Sequence, residues 1–426
     1  MFLSVLVLFV IFQSNVFGYI DPGTGSLLFS ALFGIIGTLF FLSKALIIKL
    51  KTMSFSKNKN METEASKKAR IIIYGEDKRY CNVFKPIIEE LIKLETPVIY
   101  YSSSEDDPIF EIKNDLLHAE FIGVGNKAYA KLNFIEADIC LMTTPNLDVF
   151  QLKRSKGVKK YVHIVHSPVI PLYRLYSLDF FDSILINGNH QEEYIRELEK
   201  LRRENPKEVV IVGSSYLDEL DKKKKQLNLD SIEADSILLS PSWGDNALLI
   251  RYGSKLIDEL LKTNMNIIIR PHPQSLISEK GVLDNLQDIY KDKKNIEWDF
   301  SVDNIISFSR SKIMISDFSG VIFDYTFLFE RPVLIPEFKF DKSIYDIAML
   351  KDEIWTFKVL PKISIHIEES DFGNIGNIIS NAVNSDNIIK NIRDIRKEAY
   401  MYQGEASKYT AKYIKNSLDN MVSIVK

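Results

Sequence analysis

The chain has 426 residues, with 54 Lys and Arg against 57 Asp and Glu, for a formal net charge of −3. This balance argues against a nucleic-acid-binding protein, which ordinarily carries a large basic excess, and 46% hydrophobic with 26% charged residues is the composition of a folded chain rather than a disordered one. Two cysteines, Cys81 and Cys140, are too few for a disulfide framework.

The first 43 residues contain no Lys or Arg, and they hold two apolar runs, 2–18 and 27–42, separated by a turn-rich polar break. Each run is close to the length that spans a bilayer. We therefore predict a membrane anchor over residues 1–50. Three arrangements stay open: a helical hairpin with both ends on one side, a signal peptide followed by one span, and a buried core helix.

A basic segment follows the anchor. Residues 44–70 hold eight Lys or Arg and two acids, and the positive-inside rule places such a flank in the cytoplasm. We expect residues 51–68 to form a basic juxtamembrane linker beside the lipid bilayer. The remainder of the chain is then predicted to be cytoplasmic, in a protein that is localised to the cell membrane.

From residue 70, short β-branched runs alternate with amphipathic segments, which predicts a parallel sheet with helices on its faces. In the first such domain, 69–217, the expected strands are 70–74, 97–101, 137–142, 161–165, 183–186 and 209–212, and the expected helices are 83–94 and 191–203. A polar stretch with four consecutive lysines, 218–235, is interpreted as a linker or a solvated helix.

The same alternation restarts in a second domain, 236–371. Here the expected strands are 236–240, 266–270, 313–316 and 332–335, and the expected helices are 247–261 and 321–329. The tail, 372–426, is predicted to be helical, at 375–382, 387–401 and 407–421. Two doubly wound Rossmann-type α/β domains in tandem imply a cleft, and ligands of such sheets bind beyond the carboxyl ends of the strands.

Two segments of the second domain carry groups suited to phosphate. Residues 270–273 read Arg-Pro-His-Pro and close a strand, where Arg can bind a phosphate bidentately and His can donate or transfer a proton. A proline-rich turn with a surface histidine explains the tetrapeptide equally well. Residues 316–320 read Ser-Asp-Phe-Ser-Gly and open an apolar helix whose free N–H groups can meet an anion.

These segments give a set of candidate donor-side residues. The predicted phosphate ligands are Arg270, Ser316, Asp317, Ser319, Gly320 and Asp324, with His272 as a catalytic candidate. A simple helix cap is the alternative for Asp317, whereas Asp324 stands one turn inside the helix, where a cap is less expected. Trp243 follows a strand, and its indole suits either ring stacking on a ligand or core packing.

In the first domain, His163 and His166 end a strand. Alternation along a strand places them on opposite faces, so we expect His166 to face the cleft and His163 to be a hydrogen-bonded core residue. Metal binding is disfavoured, because the two rings diverge and no cysteine or carboxylate cluster completes a site. A single cleft histidine is a candidate general base, since its unperturbed pKa is ~6.5.

Residues 270–273, residues 316–325 and Arg331-Pro332 together resemble the CDP-glycerol glycerophosphotransferase family, the enzymes that prime and polymerise teichoic acids. The resemblance implies a GT-B fold and transfer of glycerol phosphate from CDP-glycerol to an acceptor hydroxyl, with release of CMP. It maps the general base of the family onto His166 and a second histidine onto His272. In the family the base stands in a Trp-His-Gly context, whereas here the context is Val165-His166-Ser167.

The resulting expectation is a membrane-anchored transferase that takes a CDP-activated polyol phosphate and a polymeric or membrane-associated acceptor. It needs no metal and no cofactor if the protein's own donors suffice for the leaving diphosphate. A nucleotide-sugar glycosyltransferase and an epimerase of the GT-B type are the alternatives that keep the fold. A non-catalytic membrane scaffold is the alternative of a different class, and it predicts no nucleotide binding.

Overall fold

The structure is a computed structural model that describes residues 69–172, 174–301, 303–317, 319–337 and 341–425, all within one compact unit, Glu62–Lys426. The predicted anchor, 1–50, and the predicted basic linker, 51–68, lie outside the described residues. Among the residues that are described, no helix is both long enough and apolar enough to cross a bilayer.

The first half is built on a parallel sheet with the strand order β3-β2-β1-β4-β5-β6-β7. Its strands are β1 (Ile71–Gly75), β2 (Val98–Ser102), β3 (Leu117–Phe121), β4 (Glu136–Met142), β5 (Gly157–Ile164), β6 (Ser183–Ile186) and β7 (Glu208–Ile211). The inner strands are continuous apolar runs because helices cover both faces of the sheet. All five residues of β1 are buried, and so are all four of β6.

Four helices accompany this sheet: α1 (Cys81–Lys93), α2 (Asn126–Leu132), α3 (Glu192–Arg202) and α4 (Ser215–Gln226). The apolar positions of α1 recur at the spacing of one helical face. They include Val83, Phe84, Ile87 and Leu91, which are all buried against the sheet. This packing fixes α1, and with it the loop that joins β1 to α1 at the carboxyl edge of the sheet.

The second half has a six-stranded parallel sheet with the order β10-β9-β8-β11-β12-β13. Its strands are β8 (Ser236–Leu239), β9 (Asn266–Ile269), β10 (Ile296–Trp298), β11 (Ser311–Ile315), β12 (Val333–Pro336) and β13 (Ser364–Ile367). Its helices are α5 (Leu248–Arg251), α6 (Gly253–Leu261), α7 (Ser275–Ser278), α8 (Lys280–Tyr290), α9 (Ile305–Arg310), α10 (Val321–Phe329) and α11 (Trp355–Ile363). The two doubly wound α/β halves confirm the two-sheet part of the predicted fold class, whereas its N-terminal membrane segment lies outside the described residues.

The C-terminal tail forms α12 (Ile375–Val383), α13 (Asp386–Ala399) and α14 (Ala406–Val425). Although α14 comes last in the chain, it returns to the first half. Its Ala411, Ile414 and Leu418 are buried in the same apolar cluster as Phe84 of α1. The tail is therefore not a separate helical group, because its last helix completes the core of the N-terminal half.

The polar stretch 218–235 is mostly helix rather than an extended linker. Ser214 caps α4 by accepting the N–H of Leu217 at 3.3 Å, and Leu217 is itself buried. All four consecutive lysines make ion pairs, and two of these pairs reach outside the helix, Lys223 with Asp303 at 2.9 Å and Lys224 with Asp230 at 2.8 Å. These lysines stabilise the packed helix, which agrees with the solvated-helix interpretation of the segment.

A buried ionic contact joins the two halves. Asp346, from the loop after β12, is fully buried and accepts the backbone N–H groups of Tyr176 at 2.9 Å and Ser177 at 3.1 Å. Its carboxylate also pairs with Arg202 at the end of α3. Since Tyr176, Ser177 and Arg202 belong to the first half, this contact sets how the carboxyl edges of the two sheets face each other.

Candidate active site

The carboxyl edges of the two sheets meet in a cleft. On one side lie the loops after β1 and β5, and on the other the loops after β8, β9 and β11. The gap is narrow at one point, since a Cβ placed on Gly320 would lie 3.5 Å from Ser167 Oγ. This is the position at which ligands of doubly wound sheets bind.

His166 occupies the first side of this cleft. Its ring packs edge-on against Tyr80, with the ring centroids 5.1 Å apart, and its Nδ1 is buried without a hydrogen-bond partner. Burial lowers the pKa of His166 to about 4. The imidazole is therefore neutral at neutral pH, which is the form able to accept a proton.

Neighbouring contacts fix the loop that carries His166. The side-chain amide of Gln191 donates to the carbonyl oxygens of Ser167 and Pro168, both at 3.0 Å, and His190 Nε2 lies 2.8 Å from the Pro168 carbonyl. The backbone of this loop is thus held by two side chains that directly precede α3. A catalytic side chain on such a loop is positioned before any ligand binds.

His163 lies inside the first half, as predicted. It is 1% exposed, its ring is 5.0 Å from that of Phe181, and burial lowers its pKa to about 3. Among the described residues, no group of three or more His, Cys, Asp or Glu side chains is arranged to hold a metal ion. The two rings therefore pack against different partners, Phe181 for His163 and Tyr80 for His166, although the charge of His166 also lowers the pKa of His163.

His272 occupies the opposite side of the cleft. The backbone N–H of Gln274 donates to its Nδ1 at 3.1 Å, so the neutral ring carries its proton on Nε2. Its pKa is lowered, mainly by burial and then by the charge of Arg79, while Glu279 acts in the opposite direction. His272 is therefore arranged to donate a hydrogen bond from Nε2, as a phosphate oxygen requires.

Arg270 makes internal contacts. Its Nη1 donates to Asp299 at 2.6 Å and its Nη2 donates to the Ser301 carbonyl at 2.7 Å, and the side chain is only 13% exposed. This geometry differs from the open guanidinium that a phosphate clamp needs. A carboxylate already neutralises Arg270, so its role in this structure is to brace the loops after β9 and β10.

Ser316 and Asp317 also bind protein backbone rather than facing the cleft. Ser316 Oγ donates to the Ser240 carbonyl at 2.6 Å, and Asp317 accepts the N–H groups of Ser242 at 2.6 Å and Leu248 at 2.7 Å. Asp317 is therefore a cap, but it caps α5 after β8 and not the helix that follows it in sequence. Both side chains hold the loop after β8 in place.

The cleft-facing part of this motif is Ser319 and Gly320. Gly320 is exposed at the start of α10 and no side chain caps that helix, whereas the Ser319 N–H already donates to the Asp317 carbonyl at 3.0 Å. The first amides of a helix have no partners within it. The amides that open α10, at Gly320 and Val321, are thus the donors best placed for an anion.

Asp324 lies on the buried side of α10. Burial raises the pKa of its carboxyl to about 7, against the lowering effect of a hydrogen bond with Tyr216 of α4. The predicted phosphate contact is therefore replaced by a contact between α10 and α4. Like Ser316 and Asp317, Asp324 positions the turn without reaching the cleft.

Arg79 was missed by reasoning from the sequence. It lies in the 3-10 turn Lys78–Tyr80 after β1, its side chain is 54% exposed, and its Nε donates to Asp77 at 2.8 Å. Its charge acts on His272 across the cleft, while its neighbour Tyr80 contacts His166. The sequence could have indicated Arg79, because this residue follows the carboxyl end of a predicted strand, where ligands of such sheets bind.

The family comparison matches the half that contains His272 and α10. Residues 186–353, fewer than half of the chain, match the family model described as CDP-glycerol:poly(glycerophosphate) glycerophosphotransferase. This class was predicted from residues 270–273 and 316–325, and both segments lie within the match. The resemblance is thereby confirmed: residues 186–353 match the family, and the match supports an enzyme of the CDP-glycerol glycerophosphotransferase type.

Solved structures show the same fold over most of the chain. The wall teichoic acid polymerase TagF is 19% identical, with a TM-score of 0.56, over 90% of this chain and 97% of that chain. A His-to-Asn variant of TagF soaked with CDPG is 17% identical, with a TM-score of 0.54 and the same coverage. UDP-GlcNAc 2-epimerase from Neisseria meningitidis, bound to UDP-GlcNAc, is 15% identical, with a TM-score of 0.50, over 82% of this chain and 99% of that chain.

These identities are low, so the structural likeness establishes the two-domain GT-B-like fold and not a substrate. No curated protein matches the sequence. The choice of reaction therefore depends on the family match and on the geometry of the cleft.

Proposed function

We propose that the protein transfers glycerol phosphate, or a similar polyol phosphate, from a CDP-activated donor to a hydroxyl group of a cell-envelope polymer or glycolipid. One arrangement carries the proposal: His166, which is kept neutral by its surroundings, follows β5, and His272, which can donate from Nε2, follows β9 in the other half, where a Cβ on Gly320 would lie 3.5 Å from Ser167 Oγ. The matched family and the likeness to a polymerase solved with CDPG support this donor.

The reaction begins at the acceptor. Its hydroxyl is a weak nucleophile, so His166 removes the proton as the oxygen attacks the phosphorus that carries glycerol. A new P–O bond forms to the acceptor, and the P–O bond to the CMP oxygen breaks. The proton stays on His166 until it returns to solvent, and CMP leaves with the bonding electron pair.

Negative charge grows on the leaving phosphate during this step. His272 Nε2–H and the amides of Gly320 and Val321 are the neutral donors available to it, and Arg79 supplies a positive charge from the other side of the cleft. Fixed donors that are aimed at developing charge stabilise the transition state without reorganising. Ser316, Asp317 and Asp324 contribute by holding these groups in place.

Binding of the donor also changes the pKa of His166. A pKa of about 4 makes the ligand-free imidazole a weak base, and a nearby diphosphate favours the protonated form through its negative charge. Donor binding thus raises the basicity of His166 when the acceptor is to be deprotonated. We therefore expect the acid limb of the pH profile of kcat, which reports His166 in the donor complex, to lie at a higher pH than the acid limb of kcat/KM, which reports the free enzyme.

The membrane anchor is a further part of the proposal. The apolar runs within residues 1–50 and the basic segment 51–68 support attachment to the cell membrane with the cleft on the cytoplasmic side. Protection of the C-terminus from protease in intact cells, and cleavage after lysis, is the expected result. Cleavage at the outer surface of intact cells would contradict this orientation.

The donor is tested with full-length protein, a poly(glycerophosphate) oligomer and a panel of labelled CDP-glycerol, CDP-ribitol, UDP-sugars and GDP-sugars. The proposal predicts CMP release and acceptor growth with a CDP-polyol. Release of UDP or GDP would assign a glycosyltransferase instead, and conversion of UDP-GlcNAc without nucleotide transfer would assign an epimerase. Failure to bind any nucleotide, measured by thermal shift with CDP, would leave the scaffold alternative.

A further inference from the structure

The loop after β8, residues 240–247, lies at the centre of the donor side of the cleft. In the sheet order, β8 stands between β9 and β11. The loop is therefore flanked by the loop that carries His272 and by the turn that opens α10. Its most prominent side chain is Trp243, which neither flanking motif includes.

Hydrogen bonds to two other segments hold the backbone on both sides of Trp243. Ser316 Oγ donates to the Ser240 carbonyl at 2.6 Å, and the Ser242 N–H donates to Asp317 at 2.6 Å. On the other side, the Gly244 N–H donates to Glu279 Oε1 at 3.0 Å. The position of the Trp243 backbone is thus set by the family motif and by the residue that precedes α8.

The indole itself is uncovered. Trp243 is 54% exposed, and its ring lies 6.2 Å from the His272 ring at an interplanar angle of 32°. By contrast, Trp355 is 6% exposed and its ring lies 5.0 Å from Phe323. Core packing, one of the two interpretations of Trp243 from the sequence, is therefore wrong for this residue.

An exposed aromatic ring beside His272, on a backbone held from both sides, is suited to stacking on a flat ligand ring. Hydrogen bonds hold the backbone on both sides of Trp243 without a ligand, so less conformational entropy is lost when a ligand stacks there. Because Trp243 belongs to the half that binds the donor, the ring it meets is that of the donor nucleotide and not a group of the acceptor.

We propose that Trp243 is the stacking platform for the nucleobase of the nucleotide donor. This inference rests on the proposed function for the identity of the base, cytosine. Stacking tolerates any base, because every base has a π-face. Selection of cytosine over uracil or guanine is then made by hydrogen bonds from other groups.

The test is equilibrium titration of full-length protein with CDP, comparing wild type with Trp243→Ala, Trp243→Leu and Trp243→Phe. Loss of one base–aromatic stack weakens binding by about tenfold to a hundredfold. We expect Trp243→Ala and Trp243→Leu to show this loss, and Trp243→Phe to recover most of the affinity with an unchanged melting temperature. Phe134→Ala, in the other half with Phe134 72% exposed, is the matched control and should bind CDP as wild type does.

Indole fluorescence provides a second readout. CDP should quench the wild-type signal, and the quench should disappear in Trp243→Phe, which retains Trp298 and Trp355. A CDP affinity equal to that of the wild type in all three Trp243 variants would overturn the proposal. An affinity loss in Trp243→Ala that accompanies a fall in melting temperature, or equal binding by Trp243→Leu and Trp243→Phe, would also overturn it.

The outcome is independent of whether glycerol phosphate is transferred. If the wild type binds nucleotide through Trp243 but transfers no glycerol phosphate, the proposed function fails and the stacking site stands. If transfer from CDP-glycerol proceeds and the Trp243 variants bind CDP normally, only the stacking site fails. Parallel titrations with UDP and GDP show whether stacking persists when the base is changed.

Discussion

The two halves of the molecule place a histidine at the same cleft in opposite surroundings. The ring of His166 packs edge-on against Tyr80, and its Nδ1 is buried without a hydrogen-bond partner. His272 is half-buried among charges, and a backbone N–H fixes its tautomer. Burial lowers the pKa of both, yet only His272 has its ring proton assigned by a hydrogen bond. In the proposed mechanism, the surroundings of the two histidines, and not the residue type, make one a proton acceptor and the other a hydrogen-bond donor.

In the second half, the side chains of the sequence motif differ from the groups that are proposed to bind the donor. Ser316, Asp317 and Asp324 all make contacts within the protein, whereas the groups left facing the cleft are the helix amides and His272. The residues of such a sequence motif therefore include ones that support the site as well as ones proposed to bind the ligand. The variants below test that separation, beginning with the largest expected effect.

Replacing His166 by Ala removes the proposed base. We expect kcat for transfer to fall by about 10²–10⁴-fold, the usual contribution of a general base, while CDP affinity stays within about twofold of wild type. Steady-state kinetics and a CDP titration measure the two effects. His118→Ala, at the far edge strand β3, is the control, and full activity of His166→Ala would exclude the residue from the mechanism.

Replacing His272 by Ala tests the other side of the comparison. We expect kcat/KM for the donor to fall by about 10²–10³-fold, as for loss of one donor to a developing charge, and CDP binding to weaken as well. The contrast with His166→Ala is the informative result. Equal behaviour of the two variants in CDP binding would show that the assignment of the halves to acceptor and donor is wrong.

Replacing Asp317 by Ala tests the scaffold role. Two buried N–H groups, of Ser242 and Leu248, would lose their acceptor, and each unpaired group costs about 1–3 kcal/mol. We expect the free energy of unfolding to fall by about 2–4 kcal/mol in urea denaturation. Asp245→Ala, at an exposed position of the same loop, should change it by less than about 0.5 kcal/mol. A loss of CDP affinity in Asp317→Ala at unchanged stability would instead favour direct phosphate binding.

Asp324 gives a pH-dependent effect. Burial raises its pKa from the ordinary 3.8 to about 7, so the stability it contributes is fully present below pH 3.8 and is lost as pH rises through 7. Relative to Asp324→Asn, the wild type should lose stability as pH rises from about 4.5 to 7, with a slope that approaches about 1.4 kcal/mol per pH unit, and the difference should level off above about pH 8. Parallel unfolding curves of the two proteins across this range would contradict a buried, protonated carboxyl.

The inner strands were predictable from the sequence to within a few residues. The runs at Ile71–Gly75 and Ser183–Ile186 are continuously apolar, because central parallel strands are buried on both faces. Three strands were missed: β3, β10 and β13 are edge strands, and their sequences, Leu-His-Ala-Glu-Phe, Ile-Glu-Trp and Ser-Ile-His-Ile, mix polar and apolar residues. A partly exposed edge needs no continuous apolar run, so periodicity carries little signal there.

The site was predictable as a set of loops but not as a set of contacts. His166 follows β5 and His272 follows β9, at the strand ends where the sequence put them, because the carboxyl edge of a parallel sheet is the edge at which ligands bind. The internal contacts of Asp317 and Arg270 could not be read from the chain. Asp317 bonds to Ser242, 75 residues away, and Arg270 bonds to Asp299, 29 residues away, and such partners are decided only when the sheet assembles.

The most direct test of the account is the stoichiometry of CMP released to glycerol phosphate added, measured with CDP-glycerol and a poly(glycerophosphate) oligomer. The proposed reaction predicts one CMP for each unit added to the acceptor, with both quantities falling together in His166→Ala. CMP release without growth of the acceptor, unchanged in His166→Ala, would show that the cleft between His166 and His272 does not carry out this transfer.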